Sequence, residues 1–247
     1  MKKYLLGAVA LMAIVAPGVA AAQSAYVDLG YQNTDVDVAG TNADGDSWSI
    51  GGAAAWQHFQ LDGAVIDGDA ATNWNLGGHV FNRTDAGLIG GFANWSTTDV
   101  DGAGDFDAWT IGAEGQLYLS RTTLNGALSY SDSEDLDANM TAIDLGLRHF
   151  VTDRFAIGAN AGYGWIDAGA AGDENATTLG LDAEYQFNGP VSIFGGYQRV
   201  DLDDADASAD TFSIGVRYNL GGSLFDRDRS GAGLSRAAGL GRFGGLF

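Results

Sequence analysis

Acidic and amide side chains recur at every second position in several short segments of the chain. In segment 179–187 the even positions include Asp182, Glu184 and Gln186, whereas the odd positions are apolar or aromatic. Because neighbouring side chains of a β-strand point to opposite faces, the polar groups of each segment share one face. Carboxylates and amides on a wetted face attract cations and form hydrogen bonds with small solutes. The chemistry that this pattern indicates is solute binding or ion conduction.

Twelve segments with this alternation would position these side chains. Long Asp-rich connections, which hold most of the 32 acidic residues, alternate along the chain with short turns. Strands with one apolar face, joined differently at the two rims, are typical of a transmembrane antiparallel up-and-down β-barrel. We predict about 12 strands, with 10 or 14 as alternatives, at residues 25–33, 48–57, 59–66, 73–81, 87–95, 108–119, 123–130, 140–150, 155–165, 177–187, 191–200 and 211–220.

The first 22 residues have the pattern of a secretory signal. Lys2 and Lys3 precede an apolar run, which is followed by Pro17 and by small residues that end at Ala22. This pattern predicts cleavage before Gln23. The predicted organisation is therefore a signal peptide at 1–22, a barrel at 23–220 and a Gly/Arg-rich periplasmic tail at 221–247.

The composition agrees with an exported membrane barrel. The chain contains no Cys, so no disulfide stabilises it. Its net charge is −20. This acidity argues against nucleic-acid binding, which needs a basic surface. The apolar content of 46% is too high for an intrinsically disordered polyanion.

Aromatic residues concentrate at the predicted strand ends. Amphipathic rings settle at the level of the lipid headgroups, so two aromatic girdles are expected. The predicted girdle residues are Trp48, Trp74, Trp95, Trp109 and Trp165 beside the acidic connections, and Trp56, Phe187 and Tyr218 beside the short turns.

The last predicted strand carries a motif. Ser213 is followed by Gly215, Tyr218 and Leu220, and this spacing resembles the terminal-strand signal of Gram-negative outer-membrane β-barrel proteins of the porin-like superfamily. The resemblance implies a location in the cell outer membrane and insertion by the barrel-assembly machinery. Because the chain continues beyond Leu220, the pair Leu246-Phe247 is a second candidate for the insertion signal.

The tail after Leu220 is Gly-rich and more basic than the rest of the chain, with Arg227, Arg229, Arg236 and Arg242. Two interpretations remain open. The tail is either a solvated periplasmic extension, or it folds into the acidic lumen as a plug or contacts an anionic periplasmic partner.

Strand parity defines the predicted lumen. Its acids outnumber its two arginines, which predicts a wet interior with a weak preference for cations. The alternative is that Arg148 and Arg217 pair with carboxylates and close the barrel. The predicted lumen-lining residues are Asp28, Asp62, His79, Glu114, Gln116, Asp144, Arg148, Asp182, Glu184 and Arg217.

We expect a narrow porin-like channel for passive diffusion of small solutes. The competing hypothesis is a non-conducting structural or surface-interaction barrel that acts through its acidic loops. We expect no catalytic residues, cofactor or specific metal site, because an isolated inward His79 is a poor candidate for a base. The predicted partners are small solutes, the barrel-assembly machinery, the lipid bilayer and lipopolysaccharide, the last through loosely bound divalent cations.

Overall fold

A closed antiparallel sheet encloses the interior of the protein in a computed structural model that describes residues 22–102 and 104–234. Within these residues twelve strands pair in chain order, and β12 closes the ring by pairing with β1 from Ala25–Leu220 to Val38–Ala207. The strands are β1 Ser24–Val38, β2 Thr41–Ala55, β3 Phe59–Gly68, β4 Ala71–Thr84, β5 Gly87–Val100, β6 Gly104–Leu119, β7 Thr122–Ser133, β8 Ala138–Thr152, β9 Phe155–Asp167, β10 Asp173–Gln186, β11 Val191–Leu202 and β12 Ala207–Leu220.

This architecture confirms the predicted fold class and the strand number of 12. A 3₁₀ turn occupies Gly169–Ala171, and a short helix, α1, spans Leu224–Ser230. Among the described residues, no helix has the length and hydrophobicity needed to cross a membrane. The predicted signal peptide, apart from Ala22, lies outside the described residues, as do Arg236, Arg242 and Leu246-Phe247.

The prediction of long acidic connections is wrong. β1 and β2 meet in a turn of two residues, Ala39 and Gly40, which both have positive φ. The acids between the predicted strands 25–33 and 48–57 lie on β1 and β2, and Asp35 pairs directly with Asp44. Asp35 and Asp37 alternate with Val36 and Val38, so the strand pattern continues to the turn. The strands contain 10 to 16 residues, whereas about 9–11 suffice to cross a bilayer, so the acidic residues of β1 and β2 form an extension of the wall.

The barrel has two distinct ends, which we name by their contents. The acidic end contains the turns after β1, β3, β5, β7, β9 and β11. The terminal end contains Ser24, Leu220 and the turns after β2, β4, β6, β8 and β10.

Two levels of aromatic residues lie on the outer face. Toward the acidic end, β-sheet pairing sets Trp95 opposite Trp109, whose ring lies 5.7 Å from that of Tyr130. Trp48, Trp95, Trp109 and Trp165 are exposed, and Trp74 is half-buried. Toward the terminal end, Trp56 stacks on Phe59 at 4.5 Å, Tyr185 lies 5.3 Å from Phe187, and Tyr218 is exposed.

The outer face changes from apolar to charged directly beyond the first aromatic level. Tyr197 and Phe212 are paired in this level, and the next outward residues are Arg199 and Asp210, which form a 2.9 Å ion pair. Between the two levels the outward side chains are apolar, and include Leu29, Ile89, Leu145, Leu181 and Ile214. Such a band flanked by aromatic rings matches the lipid-facing surface of a transmembrane barrel.

The described part of the tail folds back into the terminal end of the barrel. Leu224 packs against Phe150 and Ala156, Ala232 joins a cluster around Tyr26, and Leu234 packs beside Phe81, Leu88 and Tyr118. Leu224, Arg227 and Asp228 are buried. The interpretation of the tail as a solvated extension is therefore wrong for residues 224–234.

Close packing of the wall leaves little room for a side chain at one glycine on β6. A Cβ atom at Gly112 would lie 2.6 Å from the backbone oxygen of Leu128 and 2.4 Å from the ring of Phe92. We predict that Gly112→Ala lowers the free energy of unfolding by about 1–3 kcal/mol through overpacking. Urea unfolding of the barrel in detergent, followed by tryptophan fluorescence, measures this loss.

Gly115→Ala is the matched control, because its Cβ atom would make an ordinary 3.5 Å contact with the Leu88 oxygen. Equal unfolding midpoints for the two variants would contradict the prediction.

Candidate functional site: the barrel lumen

A cavity of about 620 Å³ lies inside the barrel. Toward the acidic end its wall contains Gln32, Gln198 and Thr211, and toward the terminal end it is bounded by Arg227, Asp228 and Leu234 of the tail. Asparagine and glutamine side chains and backbone glycines supply much of the remaining lining. The cavity is therefore polar along the wall, and the tail contributes to one of its boundaries.

The ten residues predicted to line the lumen all contribute to the interior. Three acids, Asp28, Asp62 and Glu184, are buried behind the cavity surface, with 4%, 4% and 2% of their surface exposed. The others line the cavity itself: His79, Glu114, Gln116, Asp144, Arg148, Asp182 and Arg217.

Glu184 is the centre of the main charge network. Its Oε2 atom lies 2.9 Å from Arg148, 2.9 Å from Arg217 and 2.5 Å from Arg227. The hydroxyl of Ser192 donates a 2.7 Å hydrogen bond to Oε1. Burying a carboxylate is strongly unfavourable unless it is paired and hydrogen-bonded, and here three guanidinium groups supply this compensation.

Arg217 connects this network to the closure of the barrel. Its guanidinium group donates hydrogen bonds of 2.9 and 2.7 Å to Asp28, which is its direct partner across the β1–β12 pairing. The group also lies 4.3 Å from the ring centre of Tyr26 and 4.8 Å from that of Phe194. Cation–π contacts and ion pairs thus hold the Arg217 side chain where β1 pairs with β12.

A second network surrounds His79. Its Nε2 atom lies 3.0 Å from Asp62 and its Nδ1 atom 2.8 Å from Glu114. Gln60 donates a 3.1 Å hydrogen bond to Asp62 and also contacts both backbone groups of Leu234. Since each ring nitrogen faces a carboxylate, a protonated imidazole with two N–H donors satisfies both acids.

The tail adds interior residues to the ten that strand parity predicts. Arg227 contacts Glu184 and Asn219, and Thr123 donates a 2.5 Å hydrogen bond to Asp228. Arg229 lies over the rings of Tyr118 and Phe225. One signal was present in the sequence: strand parity turns Tyr26, Phe81, Tyr118 and Phe150 inward at the terminal end, where a wet channel would not need apolar rings.

The predicted insertion motif lies on the strand that closes the barrel. Ser213 lines the cavity, and a Cβ atom at Gly215 would lie 2.3 Å from the ring of Phe194. Tyr218 and Leu220 face outward and are 51% and 41% exposed.

The cavity wall presents two acids that are more accessible than the buried ones. The side chain of Asp182 is 45% exposed and lies 3.8 Å from Arg148. Asp144 is half-buried and also lines the cavity. Within residues 22–102 and 104–234 no group of three or more His, Cys, Asp or Glu side chains has the arrangement of a metal site. Carboxylates and amides are thus among the groups that the cavity wall presents.

A family comparison agrees with this geometry. The model of the family described as "Outer membrane protein beta-barrel domain" matches residues 6–219. The chain belongs to this family. The protein is accordingly located in the outer membrane of the cell, as the resemblance of its last strand implied. No curated protein matches the sequence.

Solved structures with the same fold include two porins and a translocator. The NanC porin superposes with a TM-score of 0.59 at 8% identity, over 78% of this chain and 100% of its own. The KdgM porin in complex with disordered oligogalacturonate has a TM-score of 0.56 at 9% identity, over 77% and 98%. The translocator domain of autotransporter NalP from Neisseria meningitidis has a TM-score of 0.53 at 15% identity, over 86% and 96%. At these identities the likeness shows a shared fold.

The buried position of Glu184 in this outer-membrane barrel leads to a stability prediction. Glu184→Gln removes the negative charge that three arginines share, which leaves the buried Arg227 without its carboxylate partner. We expect a loss of about 3–5 kcal/mol in the free energy of unfolding, measured by urea unfolding in detergent.

Asp182→Asn is the control, since it removes one negative charge from the same face of β10 at a side chain that is 45% exposed. It should change the free energy of unfolding by less than about 1 kcal/mol. The prediction fails if Asp182→Asn destabilises the barrel as much as Glu184→Gln.

Proposed function

We propose that this outer-membrane barrel is a narrow porin-like channel for passive diffusion of small solutes, with a weak preference for cations. The observation that carries the proposal is the polar cavity of about 620 Å³ inside the barrel. Small side-chain-filled barrels lack such a space, whereas barrels of 16 or more strands contain wide aqueous channels. Twelve strands are intermediate, which supports a pore of small cross-section.

The charges of the cavity support neutral or cationic solutes. Asp144 and Asp182 face the cavity, and Arg148, Arg217 and Arg227, which also line it, each contact Glu184. Oligogalacturonate, which is present in the KdgM complex, is a polyanion. Because Glu184 pairs with the three arginines and two further acids face the cavity, the wall disfavours such a solute.

We also propose that the barrel transports without catalysing a reaction. Both ring nitrogens of His79 contact carboxylates at 3.0 Å or less. A histidine in this arrangement has no lone pair directed toward a substrate. The arrangement supports a structural role for His79 in the wall.

The outer surface suggests further partners. We propose that the charged extension at the acidic end contacts lipopolysaccharide through loosely bound divalent cations, and that the barrel-assembly machinery recognises β12. The supporting features are the acids beyond the first aromatic level and the outward Tyr218 and Leu220.

One observation favours the competing function of a non-conducting barrel that acts through its acidic end. Leu224, Ala232 and Leu234 of the tail are buried inside the terminal end. A correctly folded barrel that stays electrically silent in a bilayer, with and without its tail, would support this competing function.

Conductance in a planar lipid bilayer tests the proposal. Under a salt gradient we expect discrete conductance steps with a reversal potential of cation-selective sign. The double variant Asp144→Asn/Asp182→Asn should move this reversal potential toward zero, because it removes the accessible negative charges of the cavity.

The control is Asp203→Asn/Asp204→Asn, which removes two charges from the exposed turn after β11. It should change selectivity less than the cavity variant. A larger effect of the turn variant would place the selective charges at the rim and would refute the assignment to the cavity.

A further inference from the structure

Residues 223–234 form a compact unit inside the terminal end of the barrel, which we call the lumenal plug. It begins with Ser223, whose side chain and backbone exchange hydrogen bonds with Asp226 in a capping box at the start of α1. Leu224, Arg227, Asp228, Ala232 and Leu234 line the cavity. We propose that the lumenal plug is a releasable gate, with the Arg227–Glu184 contact as its latch. This inference rests on the proposed channel function.

The wall of the barrel is complete without the lumenal plug. β12 pairs with β1 along the whole seam, and the plug adds no strand to the described part of the sheet. Its backbone contacts with the wall are scattered: the N–H of Phe225 donates to the backbone oxygen of Asp153 at 3.1 Å, the oxygen of Gly231 accepts from Arg83 at 3.1 Å, and Gln60 contacts both backbone groups of Leu234. Removal of the plug therefore leaves the hydrogen bonding between the strands intact.

Two glycines join the lumenal plug to β12. Gly221 and Gly222 have φ values of 100° and 75°, a conformation that L-residues with side chains rarely adopt. The chain reverses direction here, from the end of β12 at Leu220 into the lumen. Consecutive glycines have the greatest backbone freedom, so this joint can change direction without moving the wall.

The charges of the wall stay compensated when the latch opens. Arg148 and Arg217, each 2.9 Å from Glu184, belong to the wall and not to the plug, as does Asp28, which contacts Arg217. Release therefore does not leave a buried carboxylate unpaired, which would be strongly unfavourable. On the departing segment, Asp228 and Arg229 contact each other at 3.3 Å and enter water together.

The remaining contacts of the lumenal plug explain why the closed state is preferred. Leu224, Ala232 and Leu234 occupy separate apolar clusters on the wall. Thr123 binds Asp228, and Gln60 binds the backbone of Leu234. These contacts hold the plug at several points, and the Arg227–Glu184 contact joins it directly to the central charge network. We therefore expect most molecules to hold the plug in place, in equilibrium with a minority in which it is released.

Weakening the latch should increase the time that the channel is open. In single-channel recordings of the full-length protein, Arg227→Ala should raise the open probability by about tenfold or more, which is the effect expected from losing hydrogen bonds to a charged group. Arg154→Ala is the control, because Arg154 lies in the turn after β8 and contacts Asn188 outside the lumen. Equal effects of the two variants would overturn the assignment of the latch.

A reversible cross-link tests the gate in one and the same molecule. The chain contains no native Cys, and the side chains of Thr123 and Asp228 are in contact. Thr123→Cys/Asp228→Cys, joined by a short bis-methanethiosulfonate reagent, fixes the lumenal plug to the wall. We expect the cross-linked protein to be silent and to regain conductance when dithiothreitol is added.

A variant that ends at Leu220 separates failure of the gate from failure of the channel, provided that heat-modifiable electrophoretic mobility shows it to be folded. Equal conductance before and after reduction would overturn the gate and leave the channel function standing. If only the truncated variant conducts, the plug blocks the channel permanently, and this result also overturns release. Silence of all folded forms would overturn the channel function, and the gate with it.

Discussion

Closure of the sheet is the constraint on which the rest of this structure depends. Inside a bilayer every backbone N–H and C=O group must find its partner within the protein, and the pairing of β12 with β1 meets this requirement over the full length of both strands. Once the ring is closed, alternation sends every second side chain to lipid and the others to a confined interior. The outer face is therefore apolar between its aromatic levels, and all charge at membrane depth has to be accommodated inside.

The interior compensates its charges by sharing them. Glu184 is contacted by three arginines, and Arg217 extends the network to Asp28 across the pairing of β1 with β12. A carboxylate with several cationic partners tolerates the departure of one of them better than a simple pair does. The same group that stabilises the wall can therefore take part in a contact that opens and closes.

Much of this arrangement could be predicted from the sequence, because period-two alternation is a local property of a strand. Asp182 and Glu184 were assigned to one face without knowledge of their neighbours, and the strand number followed from counting such segments. The lengths of the strands were underestimated, because Asp35 and Asp37 are residues that disfavour strands in general. Their backbone nevertheless extends the ladder, since the two-residue turn at Ala39 and Gly40 completes a hairpin. The position of Arg227 could not be derived in this way. It depends on a long-range contact between the tail and β10, and no periodicity records such a contact.

The two-residue turn between β1 and β2 has a consequence for the compartment that the acidic end faces. Flexible loop tips are the preferred sites of proteolytic nicking, and a protease must draw an unpaired stretch of chain into its active site. The extension formed by β1 and β2 stays hydrogen-bonded up to the turn, so it offers little chain of this kind. This part of the barrel is a stiff, acidic hairpin, and a macromolecule that binds it has to recognise a folded surface.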